Sequence, residues 1–484
     1  MISRLLVVAC LCACPLIINA QIDTLWTRSY SGGDEANCVK ETLDNGYIMV
    51  GDSDDEISDI LVIKTDYFGE IIWSRTYGGE DGDFGECILA DSDGGYVILG
   101  TTHSFGAGSR DYYLIKTDDA GNQIWANTFG NGSSNNSRCV QKTTDNGYIM
   151  TGYTTGQGIM LVKADENGIE QWYRHFIAPG GEQLYSSSIQ ETYPDGGFII
   201  TGCSEEWWTW DLVMVLLKTD SAGNLEWSQR FSENWPYSGG FGEKGTSVIQ
   251  ISDNGYLACG SSTNYWGTHA YVVKTDSIGN ELWSWVETPS SSHYSRAVSA
   301  FEVEDGEILV WGYKSNNPTY YMDICMYRFD AQGNELLADT LVMEFDQRAN
   351  FVQPAIDGGY IIAGKRDYGN YQETEFFLVK TVGDSILPVE KTDILCIHKG
   401  INLNNYPNPF NPTTAISIQL VTRSHVNLSV YDISGSKVAT LIDEDRTPGS
   451  YQVTFDGGDL PSGIYFVRLL TEDFQQAQKL VLLR

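Results

Sequence analysis

The chain has 484 residues and carries 30 basic against 64 acidic side chains, a formal charge of −34. A surface of that sign repels polyanions, so it argues against nucleic acid and an anionic membrane face as partners and suits solubility outside a cell. The 50 glycines, 28 tyrosines and 13 tryptophans fit short strands joined by tight turns and exclude a disordered chain, which would be poor in aromatics.

Met1 to Ala20 has the pattern of a secretory signal. Arg4 supplies the charged start, Leu5 to Ile18 the apolar core, and Ile18-Asn19-Ala20 a cleavage site before Gln21. A lipoprotein signal acylated at Cys10 or Cys14 is the alternative; the first leaves too short an apolar core and the second is followed by more apolar residues. No later run is long enough to predict a transmembrane segment.

From Asp44 the chain repeats itself. DNGYIMVG, ending at Gly51, returns in variants ending at Gly100, Gly152, Gly202, Gly260, Gly312 and Gly364. A period of about fifty residues signals an array of one supersecondary unit. Each repeat reads as four strands. The first ends at an Asp-Asn-Gly or Asp-Gly-Gly turn, a strong hairpin signal, and the second is the Tyr47–Val50 type. A variable loop leads to an apolar third strand such as Ile60–Thr65, and a TDxxGN turn leads to a fourth strand bearing Trp73, Trp125, Trp172, Trp227 or Trp283, with Leu337 in the sixth unit. This predicts an all-β fold, a seven-bladed β-propeller of four-stranded antiparallel blades, over residues 21–384. A solenoid would need polar capping repeats, and the end repeats are as apolar as the rest. The seventh unit lacks its tryptophan strand, whereas Asp23–Tyr30 is an orphan resembling Ile71–Tyr77; placed as the outer strand of the seventh blade, it closes the ring and covers an edge.

Recurrent residues have structural readings. The tryptophans hold one register and are expected to pack blade on blade. Cys38, Cys87 and Cys139 share a position with Ser188, Ser247 and Ser299, so the site asks for something small and buried, and the cysteines read as packing residues. Seven cysteines, an odd number, follow the signal. No cofactor is expected. A Ca2+ reading attaches to Asp91-Ser92-Asp93-Gly94 and Asp52-Ser53-Asp54-Asp55, but no unit supplies a full oxygen set, and Asp also favours such turns without metal.

Function is expected on the face that gathers the variable loops. Blades four and five are richest there, with Trp207, Trp208 and Trp210 in one loop, Trp235 and Tyr237 in the next, and Tyr265, Trp266 and His269 in the following blade. Exposed amphipathic rings beside carboxylates and amides suit an extracellular glycan or protein; the competing reading is that they pad long loops. The six histidines form no HExxH spacing, and GxSxG is absent. No catalytic or metal-binding residue is therefore assigned, although a hydrolase or lyase acting on polysaccharide, and a structural surface component, stand as alternatives.

After a linker over 385–400 the pattern changes. NYPNPFNPTT from Asn405 opens a segment of short alternating strands, which predicts a small β-sandwich over 401–484. Together with VNLSVYDISGSKVATL, LPSGIYFVRL and the terminal KLVLLR, this segment resembles the C-terminal sorting domain of the bacterial type IX secretion system, an Ig-like tail similar to that of hook-capping proteins. The resemblance implies that the type IX machinery recognises the tail and that the protein is secreted or held at the outer-membrane surface of a Gram-negative bacterium. Its most characteristic residues are matched by Gly463, Ile464, Tyr465, Lys479, Leu480 and Val481. In that family the tail can be removed and the cargo attached to surface lipopolysaccharide.

Overall fold

The computed structural model describes residues 22–382 and 402–483, apart from 92, 179–180, 206–211, 233–241, 266, 288–293, 304–305, 316–320, 357–358, 370–373, 407–409, 421–423, 433–436, 447–448, 459 and 471–474. Two compact units divide the chain, Met1–Lys391 and Thr392–Arg484.

The first unit is seven four-stranded antiparallel sheets, a propeller-like fold. Sheet one is Gly33–Glu41, Tyr47–Ser53, Ile60–Thr65 and Ile71–Tyr77 in spatial as in chain order. Sheets two to six repeat that order. Their first strands are Asp83–Ala90, Asn135–Lys142, Gln183–Glu191, Glu243–Gln250 and Ser295–Glu302, and that of sheet seven is Asp346–Pro354. Sheet seven takes its fourth strand from the opposite end of the chain: Thr24–Tyr30 pairs antiparallel with Thr374–Thr381, Arg28 opposite Leu378 and Ser29 opposite Phe377. Consecutive first strands touch one another, and that of sheet one also touches that of sheet seven.

The repeated motif has a steric cause. Every first strand carries a β-bulge at the same place, between Ala36 and Cys38 in sheet one and at the equivalent pair in the other six. A bulge leaves one residue unpaired and turns the carbonyl before it toward the partner strand. The residue facing it there is the last glycine of the DNGYIMVG motif. A Cβ on Gly51, Gly152, Gly202, Gly260, Gly312 or Gly364 would lie 1.8–2.0 Å from the carbonyl oxygen of Glu35, Asn136, Tyr185, Lys244, Arg296 or Arg348. Only a residue without a side chain fits.

Neighbouring sheets are joined by the tryptophans, as their register suggests. Trp26 donates from Nε1 to the Tyr67 carbonyl at 3.1 Å, Trp73 to Asp119 at 3.2 Å and Trp283 to Ala331 at 3.2 Å, each in the next sheet's third turn. The ring lies on that turn's glycine: a Cβ on Gly69, Gly121, Gly168, Gly223, Gly279 or Gly333 would meet the indole at 2.5–2.9 Å. Sheet seven has no such turn, because its third and fourth strands come from distant parts of the chain. Leu337 accordingly replaces tryptophan in sheet six, where buried Ile22 packs into the same apolar cluster.

The aspartates of the first turns are counter-ions. Lys64, Lys116, Lys163, Lys218 and Lys274 end their third strands buried, and their ammonium groups reach Asp44, Asp91, Asp145, Asp195 and Asp253 at 2.5–3.2 Å. Burial works to raise the Asp91 carboxyl, but hydrogen bonds from Lys116 and Lys142 outweigh it and hold the group at about 2. Among the described residues no group of three or more His, Cys, Asp or Glu is arranged to hold a metal.

The second unit has a three-stranded sheet (Asn402–Tyr406, Thr413–Leu420, Gly449–Asp456) and a four-stranded one (Lys437–Arg446, Ser424–Asp432, Gly463–Leu470, Gln475–Leu482). Alternate residues of both, among them Ile416, Ile418, Val426, Leu428, Val467, Leu469, Leu480 and Leu482, enter one apolar cluster with Phe410. The asparagine-rich opening pairs as an edge strand, Asn402–Tyr406, that ends before Pro407, as the missing proline N–H requires.

Two stability measurements check this account. Gly260→Ala is expected to cost about 1–3 kcal/mol by forcing Cβ against the Lys244 carbonyl, whereas Ser188→Cys, a residue that three sheets already use there, should leave Tm nearly unchanged. Equal Tm for Gly260→Ala and the parent would remove the steric explanation. For Asp91, the folded-state value lies below the unfolded one near 3.9, so its stabilisation is full above about pH 4 and fades as pH falls toward 2. Asp91→Asn should therefore lower stability by on the order of 2 kcal/mol at pH 7 and approach the parent near pH 2, as read by chemical denaturation across that range.

Candidate functional site

The seven bulges converge. Their unpaired residues are Asn37, Glu86, Arg138, Ser187, Thr246, Val298 and Asn350, one per sheet, and all line a cavity of about 750 Å3. Re-aiming a side chain is what a bulge does locally; repeated around a ring of first strands, it furnishes the wall of a cavity. The volume is that of a small-molecule site.

The ring is cross-linked by its own side chains. Asn37 donates to the Gly85 carbonyl at 2.8 Å, Thr246 to Ala297 at 2.8 Å and Asn350 to Ala36 at 3.2 Å, each on the next sheet. Glu86 and Arg138 pair across sheets two and three. Burial raises the Glu86 carboxyl, and the Arg138 guanidinium opposes that rise. Directly after the bulges come Cys38, Cys87 and Cys139, then Ser188, Ser247, Ser299 and, in sheet seven, Phe351. The three cysteines are free thiols, with Cys38 Sγ 3.7 Å from Cys87 Sγ.

Beyond the ring the lining comes from the starts of first strands and the ends of second strands, the termini that lead into the variable connections. Tyr153 and Tyr185 meet edge to face with centroids 4.8 Å apart. Tyr185 donates its hydroxyl to Glu205 Oε2 at 2.7 Å, and burial and then that carboxylate both raise its phenol. On the facing side Tyr313 stacks on Tyr294 at 6.1 Å and 18°. Burial pushes the Tyr313 phenol up to about 12 against the pull of Arg296. Lys244 and Arg296 complete this part of the wall. Both act on Cys203, whose thiol burial lifts to about 11 while Lys244 draws it down. The site thus offers tyrosine edges and faces, hydroxyls, the carboxylates of Glu35 and Glu205 and the cations Lys244 and Arg296 beside the Glu86–Arg138 pair: equipment for holding a polar ligand.

Of the residues singled out from sequence, Trp207, Trp208, Trp210, Trp235, Tyr237 and Trp266 lie outside the described residues. Tyr265 stands at a hairpin tip with 71% of its surface exposed. His269 is inside the strand Gly267–Thr275 and fully buried, opposite Ser262. In the second unit Gly463, Ile464 and Tyr465 pair with Leu482, Val481 and Leu480, and Lys479 with Phe466. Leu480 is fully buried and Tyr465 nearly so, its hydroxyl donating to the Pro461 carbonyl at 2.8 Å.

The cavity residues were missed, yet a signal for them exists. Ala-Asn-Cys, Gly-Glu-Cys, Ser-Arg-Cys, Ser-Ser-Ser, Gly-Thr-Ser and Ala-Val-Ser stand at equivalent places in six repeats. The pattern is a free residue between two small ones, which is how a bulge reads when both flanks are packed.

Residues 404–483 match a family model described as a secretion system C-terminal sorting domain. A tail of this family marks its carrier for secretion to the cell surface or extracellular space and is the part that meets the secretion machinery. Among the described residues no helix is long and apolar enough to cross a membrane. No curated protein matches the chain. Similar solved structures include a fungal alcohol oxidase of the AA5 family in complex with copper (11% identity, 96% of this chain and 100% of that one, TM-score 0.47). A second is the BP39L lectin of Burkholderia pseudomallei (7%, 73% and 98%, 0.45). A third is PorZ, a surface component of the type-IX secretion system of Porphyromonas gingivalis (11%, 91% and 68%, 0.31). At those identities and scores none transfers an activity to this chain.

Proposed function

We propose that the first unit is a seven-bladed β-propeller acting as an extracellular binding module for a glycan, exported by way of an Ig-like C-terminal sorting domain after removal of a signal peptide. The observation that carries the reading is the cavity of about 750 Å3 ringed by all seven sheets and lined toward its mouth by tyrosines with polar partners. Tyrosine edges and faces take up sugar rings while their hydroxyls and nearby carboxylates satisfy sugar hydroxyls.

Strand ends that flank the loops first singled out line the same cavity. Glu205 ends the strand that leads into Trp207, Trp208 and Trp210, and Leu212 begins the strand that follows; both line the cavity. Lys244 is the second residue of the strand Glu243–Gln250, which follows the segment holding Trp235 and Tyr237. Blades four and five would then contribute both floor and rim. A protein ligand would engage the rim without filling the floor, so the cavity favours the glycan.

Glycan-array screening of the full chain should yield saccharide ligands whose affinity falls about tenfold in Tyr185→Ala, the scale of losing one hydrogen-bonded aromatic contact. Turnover of a bound polysaccharide would instead make the protein an enzyme, and silence across the array would end the glycan reading. The tail is tested separately. Deleting Lys479–Arg484 removes the buried Leu480 and Leu482 from the core of the second unit, so the truncated chain should be retained inside the cell, as fractionation would show; undiminished export would remove the sorting role.

A further inference from the structure

Resting on the glycan reading, we infer that the cavity selects acidic saccharides, with Lys244 and Arg296 receiving the carboxylate or sulfate of one sugar unit. The two residues occupy equivalent positions on adjacent sheets, each immediately before its bulge triplet. Both line the cavity, and both act electrostatically on the same thiol, Cys203.

Their surroundings set them apart from the buried lysines and from the third base of the cavity. The buried third-strand lysines from Lys64 to Lys274 each hold an aspartate, and Arg138, the third base lining the cavity, is taken by Glu86. Among the described residues Lys244 and Arg296 have no acidic group in ion-pair range, and Arg296 Nε is buried without a hydrogen-bond acceptor. In a chain with more than twice as many acids as bases, two adjacent cavity cations that form no ion pair with any described acid mark a place for an external anion. A buried donor without an acceptor carries a desolvation cost that a bound oxyanion would remove.

The rest of the cavity adds direction. Glu205 accepts a hydrogen bond from Tyr185 on sheet four, and no ion pair joins that carboxylate to Lys244 or Arg296. A sugar unit with its anionic group on Lys244 and Arg296 would turn hydroxyls toward Glu205. Long-range steering would oppose approach, because the protein as a whole is strongly anionic; the attraction is confined to the cavity and should weaken with salt.

The test uses the full chain and calorimetric titration with three probes of matched length: oligogalacturonate, a sulfated galactan oligosaccharide and a neutral galactan oligosaccharide. The inference expects one anionic probe to bind at least tenfold more tightly than the neutral one, the preferred probe separating carboxylate from sulfate. It also expects that advantage to shrink in 0.5 M salt and to be lost in Lys244→Gln and Arg296→Gln while any neutral binding persists. Lys244 is exposed, so its variant should fold even if that of Arg296 does not. Neutral and acidic probes bound alike, with loss in Tyr185→Ala, would overturn the charge selection and leave the glycan reading standing; no binding of any saccharide would overturn both.

Discussion

A missing side chain governs the first unit. Opposite each bulge the partner strand must present a residue with no Cβ, because the bulge carbonyl occupies the place where one would be. The glycine that closes DNGYIMVG is that residue. The repeat that makes the chain conspicuous as a sequence is therefore the imprint of a distortion on its neighbouring strand. The distortion in turn aims seven side chains at one another. Regular strands would have paired those residues within their own sheets and left the cavity without a wall.

The remaining repeated residues solve the problem of joining sheets that share no backbone hydrogen bonds. Each tryptophan lies on the turn glycine of the next sheet, and Trp26, Trp73 and Trp283 also donate to that turn's backbone, so there packing and polar satisfaction come from one contact. Each of the buried lysines Lys64, Lys116, Lys163, Lys218 and Lys274 is matched by an aspartate of its own first turn, and removing either partner would leave an uncompensated charge. Sheet seven breaks the tryptophan contact for one reason. It is assembled from the two ends of the unit, it lacks the turn that a tryptophan would grip, and an isoleucine and a leucine fill the space instead.

This division of labour frees the cavity for chemistry. Where the chain must pack it repeats itself; at the bulge positions the residues are Asn, Glu, Arg, Ser, Thr, Val and Asn. One position before the triplet the sheets carry Glu35, Phe84, Asn136, Tyr185, Lys244, Arg296 and Arg348. The bulge residues are freed from the backbone ladder while the row before them stays paired in it; both rows vary from sheet to sheet, and charge can collect on one arc of the wall.

By itself the sequence determined what depends on local repetition: the strand count per repeat, the hairpin turns, the packing tryptophans, the pairing of Thr24–Tyr30 with the last sheet, and the secretion tail, whose motifs are contiguous. The aspartates showed how local reading falls short. Their turn role was legible, but their lysine partners lie some twenty residues away and share no pattern with them until the hairpins form. The cavity was less legible still. Lys244 and Arg296 are 52 residues apart in sequence, and nothing local ties either to Tyr185 or Glu205. Only the tertiary structure decided that they share a wall, because register within a sheet is set by nearest neighbours, whereas the meeting of bulges from seven sheets exists only once the ring has closed.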